Sequence, residues 1–370
     1  MGQREQTMRH ELFTSLDELL APKTLSQVVG CPITSVARLP FARGHSASGS
    51  RFFAIETNDS TGPRFVVKQM SPAWDWIMRA TADYRCREAL VWTTGLLDCL
   101  PPEIAHPVVA CAQDEAGWAM LMHDVSDALV PLIDPIDGKP ISQADHRCFL
   151  DALAALHAAF WQEVQVVDPA LGFCEPPLFY TAFSPEVGQR EADHPNEVVR
   201  WVREGWQALW PLLDPAVTDL LSSLFADPAP LCTALARYPQ TLVHGDPRFA
   251  NLGILRSPQL RAVLIDWHFI GPGTSAADLG WYLSEQFRLP VARETTIAWY
   301  HDLLQQRLGS RFDEAWWQPQ LGLSFVGLLM RKGWSKGRCA TQHPNPAVRA
   351  WAREDIRWWS NRVKEDARWL

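Results

Sequence analysis

Apolar and polar residues alternate along "ITSVARLP", "RFFAIET" and "RFVVKQM", the two-residue period of strands buried on one face. The last two are joined by "NDSTGP", whose Asn, Asp, Gly and Pro are turn residues. "AHPVVACA" and "WAMLMHDV", with "QDEAG" between them, predict two more strands. Roughly Trp74 to Leu97 changes to helical spacing, with no Gly or Pro before Gly95, and predicts one long helix. An amphipathic opening, "TSLDELLAP", offers Thr14 or Ser15 as an N-cap. The pattern of residues 1–125 therefore predicts a five-stranded antiparallel sheet interrupted by one long helix.

Past Ser126 the period is mostly helical. "SQADHRCFLDALAALHAAFWQE" and "NEVVRWVREGWQALWPLL" predict helices, separated by a loop-rich segment of about 163–194. Short apolar runs near 241–266 predict strands, and four helical stretches close the chain. No internal repeat or low-complexity segment is visible. The expected architecture is α+β: a small β-rich lobe over 1–125 and a large, mainly helical lobe over 126–370, joined near Asp124 to Ser126.

Composition narrows the function classes. A net charge of −8 and a pI near 5.8 argue against a nucleic-acid binder. The eight cysteines are scattered with no CxxC pair, which argues against a zinc knuckle or a redox motif. No apolar run is long enough to span a bilayer. The opening "MGQREQTMRHEL" lacks the apolar region of a signal peptide, and Gln6 stands where N-myristoylation wants Ser or Thr. A cytoplasmic protein that engages neither membrane nor nucleic acid is expected; oligomeric state is not legible. The eighteen Trp residues predict a large aromatic core.

The chemistry is concentrated in "LVHGDPRFANLGIL" and "AVLIDWHFIGPG". Two apolar runs end in acids, Asp246 and Asp266, and Asn251 follows Asp246 by five residues. Phosphoryl transfer requires a positioned hydroxyl, a base beside it and a divalent ion on the phosphates. An Asp supplies the base, and an Asn with a second Asp supplies the hard oxygens that suit Mg²⁺. Asp246 is thus the candidate base, with Asn251 and Asp266 the candidate metal ligands. Such a site also needs a strand lysine, a helix acid to orient it and a small-residue loop for the phosphates. Lys68 in "FVVKQM", Glu88 in the long helix and "GHSASGS", with Gly44, Ser46, Ser48, Gly49 and Ser50, meet these needs in order.

With these residues the chain resembles the superfamily of aminoglycoside phosphotransferases and choline kinases. "HGDPRFAN" resembles its catalytic loop and "IDW" its metal-binding Asp, and the likeness extends over about Pro32 to Leu283. The longer string through "SAADLGWYL" resembles the ecdysteroid-kinase-like branch. The resemblance implies a protein-kinase-like bilobal fold with ATP and Mg²⁺ between the lobes. It also implies that Asp246 is the base, that Asn251 and Asp266 hold metal and that Lys68 and Glu88 pair at the phosphates. Ser46 and Ser48 then lie in the phosphate loop, and His123 and Val125 offer hinge backbone to adenine. His244 and Asp278 are implied to be structural, and His157 a buried core residue. Arg248 either touches a phosphate or braces the loop.

The expected activity is transfer of the γ-phosphate of ATP to a hydroxyl of a small molecule. Acceptor recognition in this superfamily falls to the helical lobe, here about 163–215 and 281–370. From Trp281 onward 14 Lys+Arg stand against 9 Asp+Glu, which suits a polycationic acceptor poorly, and the Trp-rich lobe favours a neutral or apolar alcohol. A cationic acceptor of the aminoglycoside or choline type, and a nucleotide-binding pseudokinase with a regulatory partner, are the alternatives. A G-x-S-x-G hydrolase is excluded because Ser48 stands at the second glycine of "GHSAS". A metal-dependent phosphohydrolase leaves Lys68 and Glu88 without a role.

Overall fold

A computed structural model describes residues 10–41, 46–131, 139–163 and 171–370. The opening residues Met1 to Arg9, and with them the signal-peptide and myristoylation readings, lie outside these residues, as do Gly44 and 164–170.

The chain begins with strand β1 (Leu12–Phe13) and helices α1 (Leu16–Leu20) and α2 (Pro22–Val29). Ser15 is the α1 cap, its hydroxyl accepting from the Glu18 N–H. Strands β2 (Val36–Pro40), β3 (Arg51–Thr57) and β4 (Phe65–Met70) follow, then helices α3 (Trp76–Ala80) and α4 (Arg87–Thr93). Strands β5 (Ile104–Ala105), β6 (Val108–Asp114) and β7 (Gly117–His123) complete the lobe. The main sheet has the order β1-β6-β7-β4-β3-β2. It holds six strands rather than five, and β1 joins β6 in parallel. A two-residue strand shows no periodicity, so sequence patterning passes over it.

The predicted long helix is two short ones. Asp75 caps α3, accepting from the Ile77 and Met78 N–H groups, while Ala82 and Cys86 take positive φ and turn the chain before α4. Asp83 accepts twice from the Arg87 N–H, and Arg87 donates to the Thr81 hydroxyl and carbonyl. This buried network compensates the left-handed backbone.

The second lobe is built on α5 (Gln143–Ala159), α6 (Pro176–Thr181), α7 (Pro185–Arg190), α8 (Glu197–Leu209), α9 (Pro215–Ala226) and α10 (Ala229–Leu235). Short strands β8 (Thr241–Val243), β9 (Leu252–Leu255), β10 (Arg261–Leu264) and β11 (Gly271–Gly273) follow. Helices α11 (Ser275–Leu283), α12 (Arg293–Leu308), α13 (Glu314–Gln342) and α14 (Pro346–Asp366) end the chain. β10 pairs antiparallel with β9 and parallel with β5, tying the motif-bearing strands to the first lobe. One core, with Leu19, Ile55, Phe65, Val67 and Leu121, fills the outer side of the main sheet. The other runs from Met70 and Trp76 through α5 into the helical lobe, where Trp206, Trp317 and Trp359 are fully buried. No helix among the described residues is long and apolar enough to cross a membrane.

Candidate active site

Lys68 sits in the middle of β4, opposite Phe52 on β3 and Met120 on β7. That position is rigid and dry, with the side chain 8% exposed. Its ammonium donates to both Glu88 carboxylate oxygens at 2.8 and 2.9 Å and to Asp266 Oδ1 at 2.5 Å. Residues 198 positions apart thus meet between the lobes. Burial alone would lower the Lys68 pKa, but Asp266 and Glu88 outweigh it and hold the ammonium above its ordinary value. Burial pushes Glu88 above the usual carboxylate range, against the pull of Lys68.

The turn after β8 carries Asp246. Asp278, wholly buried in the first turn of α11, accepts from the backbone N–H of His244 at 2.7 Å and of Gly245 at 2.8 Å. His157 on α5 donates its Nε2–H to the same carboxylate at 3.1 Å and meets the Tyr300 hydroxyl through Nδ1. The Asp246 N–H lies 3.2 Å from His244 Nδ1, which makes Nδ1 the acceptor and leaves Nε2–H to donate to the Ile265 carbonyl at 3.0 Å. Burial holds His244 below the usual imidazole pKa and keeps this neutral tautomer. One histidine therefore links the turn that carries Asp246 to the segment that ends in Asp266. Gly245 has φ +83°, and a Cβ there would lie 2.7 Å from Phe269 Cβ and O. Glycine is required on both counts.

Asn251 stands five residues on, at the end of a single 3₁₀ turn (Phe249–Asn251). Its amide NH₂ donates to the Asp246 carbonyl at 3.0 Å and to Asp246 Oδ2 at 2.9 Å. The Asn251 carbonyl oxygen is turned the other way, free of that commitment. Asp246 Oδ1 is buried without a hydrogen-bond partner, and Arg248 Nε stands 3.4 Å from Oδ2. Arg248 is thus an ion-pair neighbour of Asp246, its side chain 33% exposed.

Asp266 follows β10 with φ +71°, a strained conformation for a non-glycine residue. Burial opposes ionisation, but His268 and Lys68 hold its carboxyl well below the usual range. His268 Nδ1 lies 2.9 Å from Asp266 Oδ1. The oxygens offered by Asn251 and Asp266 are hard donors of the kind Mg²⁺ takes, so the donor set fits the ion.

The serine loop lies above. Ser46 Oγ accepts from the N–H groups of Ser48 at 3.3 Å and Gly49 at 3.0 Å. Ser48 and Ser50 donate their hydroxyls to Asp75 Oδ2 at 2.5 and 2.7 Å. A phosphate would have to compete with Asp75 for Ser48. At the lobe connection the His123 N–H donates to the Pro107 carbonyl, and the Val125 carbonyl accepts from Ala128 and Leu129.

Two supporting residues escape a reading of the sequence. Arg331 on α13 is 2% exposed, donates to the Gly245 carbonyl at 2.6 Å and stacks on Phe179, Phe269 and Trp281. Burial brings its pKa down to about 10, which leaves it charged at neutral pH. The one available signal was the pair of cations, Arg331 and Lys332, set in the apolar helical run "GLLMRKGW". Arg87, whose Nη1 reaches the His268 carbonyl at 3.3 Å, gave none.

Comparison with known proteins places this arrangement. The chain is similar to a Ralstonia eutropha protein described as a candidate aminoglycoside phosphotransferase, at 18% identity and TM-score 0.49, covering 90% of this chain and 93% of that one. It is similar to the choline kinase of Streptococcus pneumoniae at 14% identity and TM-score 0.46, covering 92% and 96%. A third similar structure is the microcompartment-associated aminopropanol kinase, at 17% identity and TM-score 0.45, covering 91% and 92%. A search of curated proteins returned no match. The family model of the phosphotransferase enzyme family matches residues 40–319, which takes in the serine loop, Lys68, Glu88 and both motif segments, and the chain belongs to that family.

Proposed function

We propose that this phosphotransferase is an ATP- and Mg²⁺-dependent kinase that phosphorylates a hydroxyl of a small, neutral or apolar molecule. The observation that carries the reading is the Lys68 ammonium held between Glu88 of one lobe and Asp266 of the other. Asp246 Oδ1, buried and unpartnered, accepts the proton of the incoming hydroxyl. The Asn251 amide fixes the other Asp246 oxygen, so the carboxylate keeps one orientation. Asn251 and Asp266 hold the metal, and Lys68, oriented by Glu88, meets the α- and β-phosphates. Bound Mg²⁺ supplies neutralisation of the charge that develops on the transferring group. The His123 carbonyl and Val125 N–H meet the adenine.

For the acceptor, the surplus of Lys+Arg over Asp+Glu from Trp281 onward and the Trp-rich helical lobe support a neutral or apolar molecule over a polycation. The test is ATP consumption with Mg²⁺ across a panel of neutral, cationic and apolar alcohols. We expect slow basal turnover accelerated by neutral or apolar members. Acceleration by cationic alcohols alone would refute the acceptor assignment, and no nucleotide binding would refute the kinase reading.

A further inference from the structure

The serine loop is gripped from the helical lobe. Asn196, the cap of α8, donates its side-chain NH₂ to the Ser46 carbonyl at 2.8 Å. Two residues earlier, His194 Nδ1 lies 3.2 Å from the Asn196 N–H and acts as its acceptor. That leaves the His194 Nε2–H to donate to the Trp74 carbonyl at 2.9 Å. The same carbonyl lies 2.3 Å from where a Cβ on Gly49 would stand, so loop, Trp74 and His194 are in close register. Three residues before His194, Glu191 takes Arg79 of α3 in a forked ion pair, with Nε at 3.2 Å from both carboxylate oxygens and Nη2 at 2.5 Å from one. Glu191 is 8% exposed, so this contact is more than a solvated surface pair.

From the first lobe, Trp76 donates its Nε1–H to the Ala47 carbonyl at 2.8 Å and its backbone N–H to the Ser48 carbonyl at 3.0 Å. Three successive loop carbonyls, 46 to 48, are therefore fixed. The one at Ser46 is fixed by a residue 150 positions away. The Ala47 and Ser48 carbonyls held by Trp76 share their peptide planes with the Ser48 and Gly49 N–H groups, which close on Ser46 Oγ, and the Asn196 bond to the Ser46 carbonyl anchors the residue that carries that Oγ. Those N–H groups are the loop's means of holding an anionic oxygen.

We propose that Glu191, His194 and Asn196 are positioning residues of the nucleotide site, a clasp by which the helical lobe holds the phosphate loop in place before nucleotide arrives. The proposal rests on the kinase reading above. The clasp lowers the ordering cost of nucleotide binding and touches no reacting atom.

Asn196→Ser tests it without removing the helix cap, because serine caps α8 equally well but cannot reach the Ser46 carbonyl. Glu191→Gln removes the charge from the Arg79 pair. Three readouts are taken on the full chain: titration with a fluorescent N-methylanthraniloyl ATP, the thermal midpoint, and hydrogen exchange over 46–52 without nucleotide. Each variant is expected to bind the nucleotide about tenfold more weakly, the scale of one lost charged or well-placed hydrogen bond, when titrated well below a thermal midpoint that falls by only a few degrees. Exchange of the loop amides in the free protein is expected to quicken. Affinity within about twofold of the parent, together with unchanged loop exchange, would overturn the clasp. If the parent itself binds no nucleotide, the kinase reading fails, and the exchange measurement alone decides the clasp.

Discussion

Asp278→Asn strikes the support of the catalytic turn without touching any candidate reacting group. The Asp278 carboxylate is wholly buried and accepts three hydrogen bonds, from the His244 and Gly245 N–H groups and from His157 Nε2. An asparagine offers one oxygen, which can satisfy two of these donors, and sets an NH₂ against the third. The loss is one charge-assisted bond, about 1.5–3 kcal/mol, plus a buried donor left unmet, about 1–3 kcal/mol. Together these come to about 2.5–6 kcal/mol, a large share of the ~5–15 kcal/mol that stabilises a typical protein. Activity suffers separately, since Asp246 lies one residue beyond Gly245, and a ~1 Å misplacement of a reacting group costs about 10²-fold. Urea unfolding and ATP consumption read the two effects. The native protein also has an acid dependence here. Burial raises the Asp278 pKa, but the His157 bond and the loop amides outweigh it and hold the group below its ordinary value. That stabilisation is present above the unfolded carboxylate pKa of ~3.9 and is lost as pH falls through the lower folded value. The variant lacks this component. A variant that loses under about 1 kcal/mol and turns over normally would refute the bracing argument.

Three further outcomes follow from the same geometry. His146 has both ring nitrogens engaged, by the Tyr282 hydroxyl at 2.7 Å and the Thr296 hydroxyl at 3.2 Å, and burial lowers its pKa to about 4. Between an unfolded value of ~6.5 and that level the unfolded chain binds a proton the native protein does not, so stability falls with falling pH, by ~3 kcal/mol at most. His146→Gln is expected to flatten the thermal midpoint over this window, and identical pH slopes would contradict that. Gly245→Ala is expected to cost about 2 kcal/mol or more, from its positive φ and the clash with Phe269, and to depress turnover further than stability. Unfolding and kinetics on one preparation separate the two. Lys68→Met leaves the Glu88 and Asp266 carboxylates facing each other, at a cost of about 3–5 kcal/mol before Glu88 takes up a proton. Fluorescent nucleotide titration should show at least about tenfold weaker binding, and parental affinity would remove Lys68 from the phosphate site.

Much of this arrangement was legible in the sequence because local rules carried it. The alternation around Lys68 placed it in a strand, and the two apolar runs leading to Asp246 and Asp266 became β8 and β10, which pair with β11 and with β9 and β5. The break between α3 and α4 was not legible. Residues 76–93 contain no Gly or Pro, and the left-handed turns at Ala82 and Cys86 are imposed by Arg87 reaching Thr81 and His268, a tertiary cause. Glu88 meets Lys68 nonetheless, because α4 starts directly ahead of it. Asn196 was equally hidden: a helix cap looks the same whether its spare NH₂ meets water or the Ser46 carbonyl. Arg331 interrupts an apolar helical run, yet the sequence does not reveal the Gly245 carbonyl and three aromatic rings waiting for it. Ser48 reads as a phosphate donor in any small-residue loop, and only the fold brings Asp75 within 2.5 Å of its hydroxyl.

The central claim is that Asp246 acts on a hydroxyl beside nucleotide held by Lys68, Asn251 and Asp266. Asp246→Asn tests it most directly, because an asparagine there can still accept from the Asn251 amide and so preserve the turn. With Mg²⁺, ATP and an accelerating alcohol, turnover is expected to fall about 10²–10⁴-fold while nucleotide affinity stays within about threefold of the parent. Turnover equal to that of the parent would contradict the assignment.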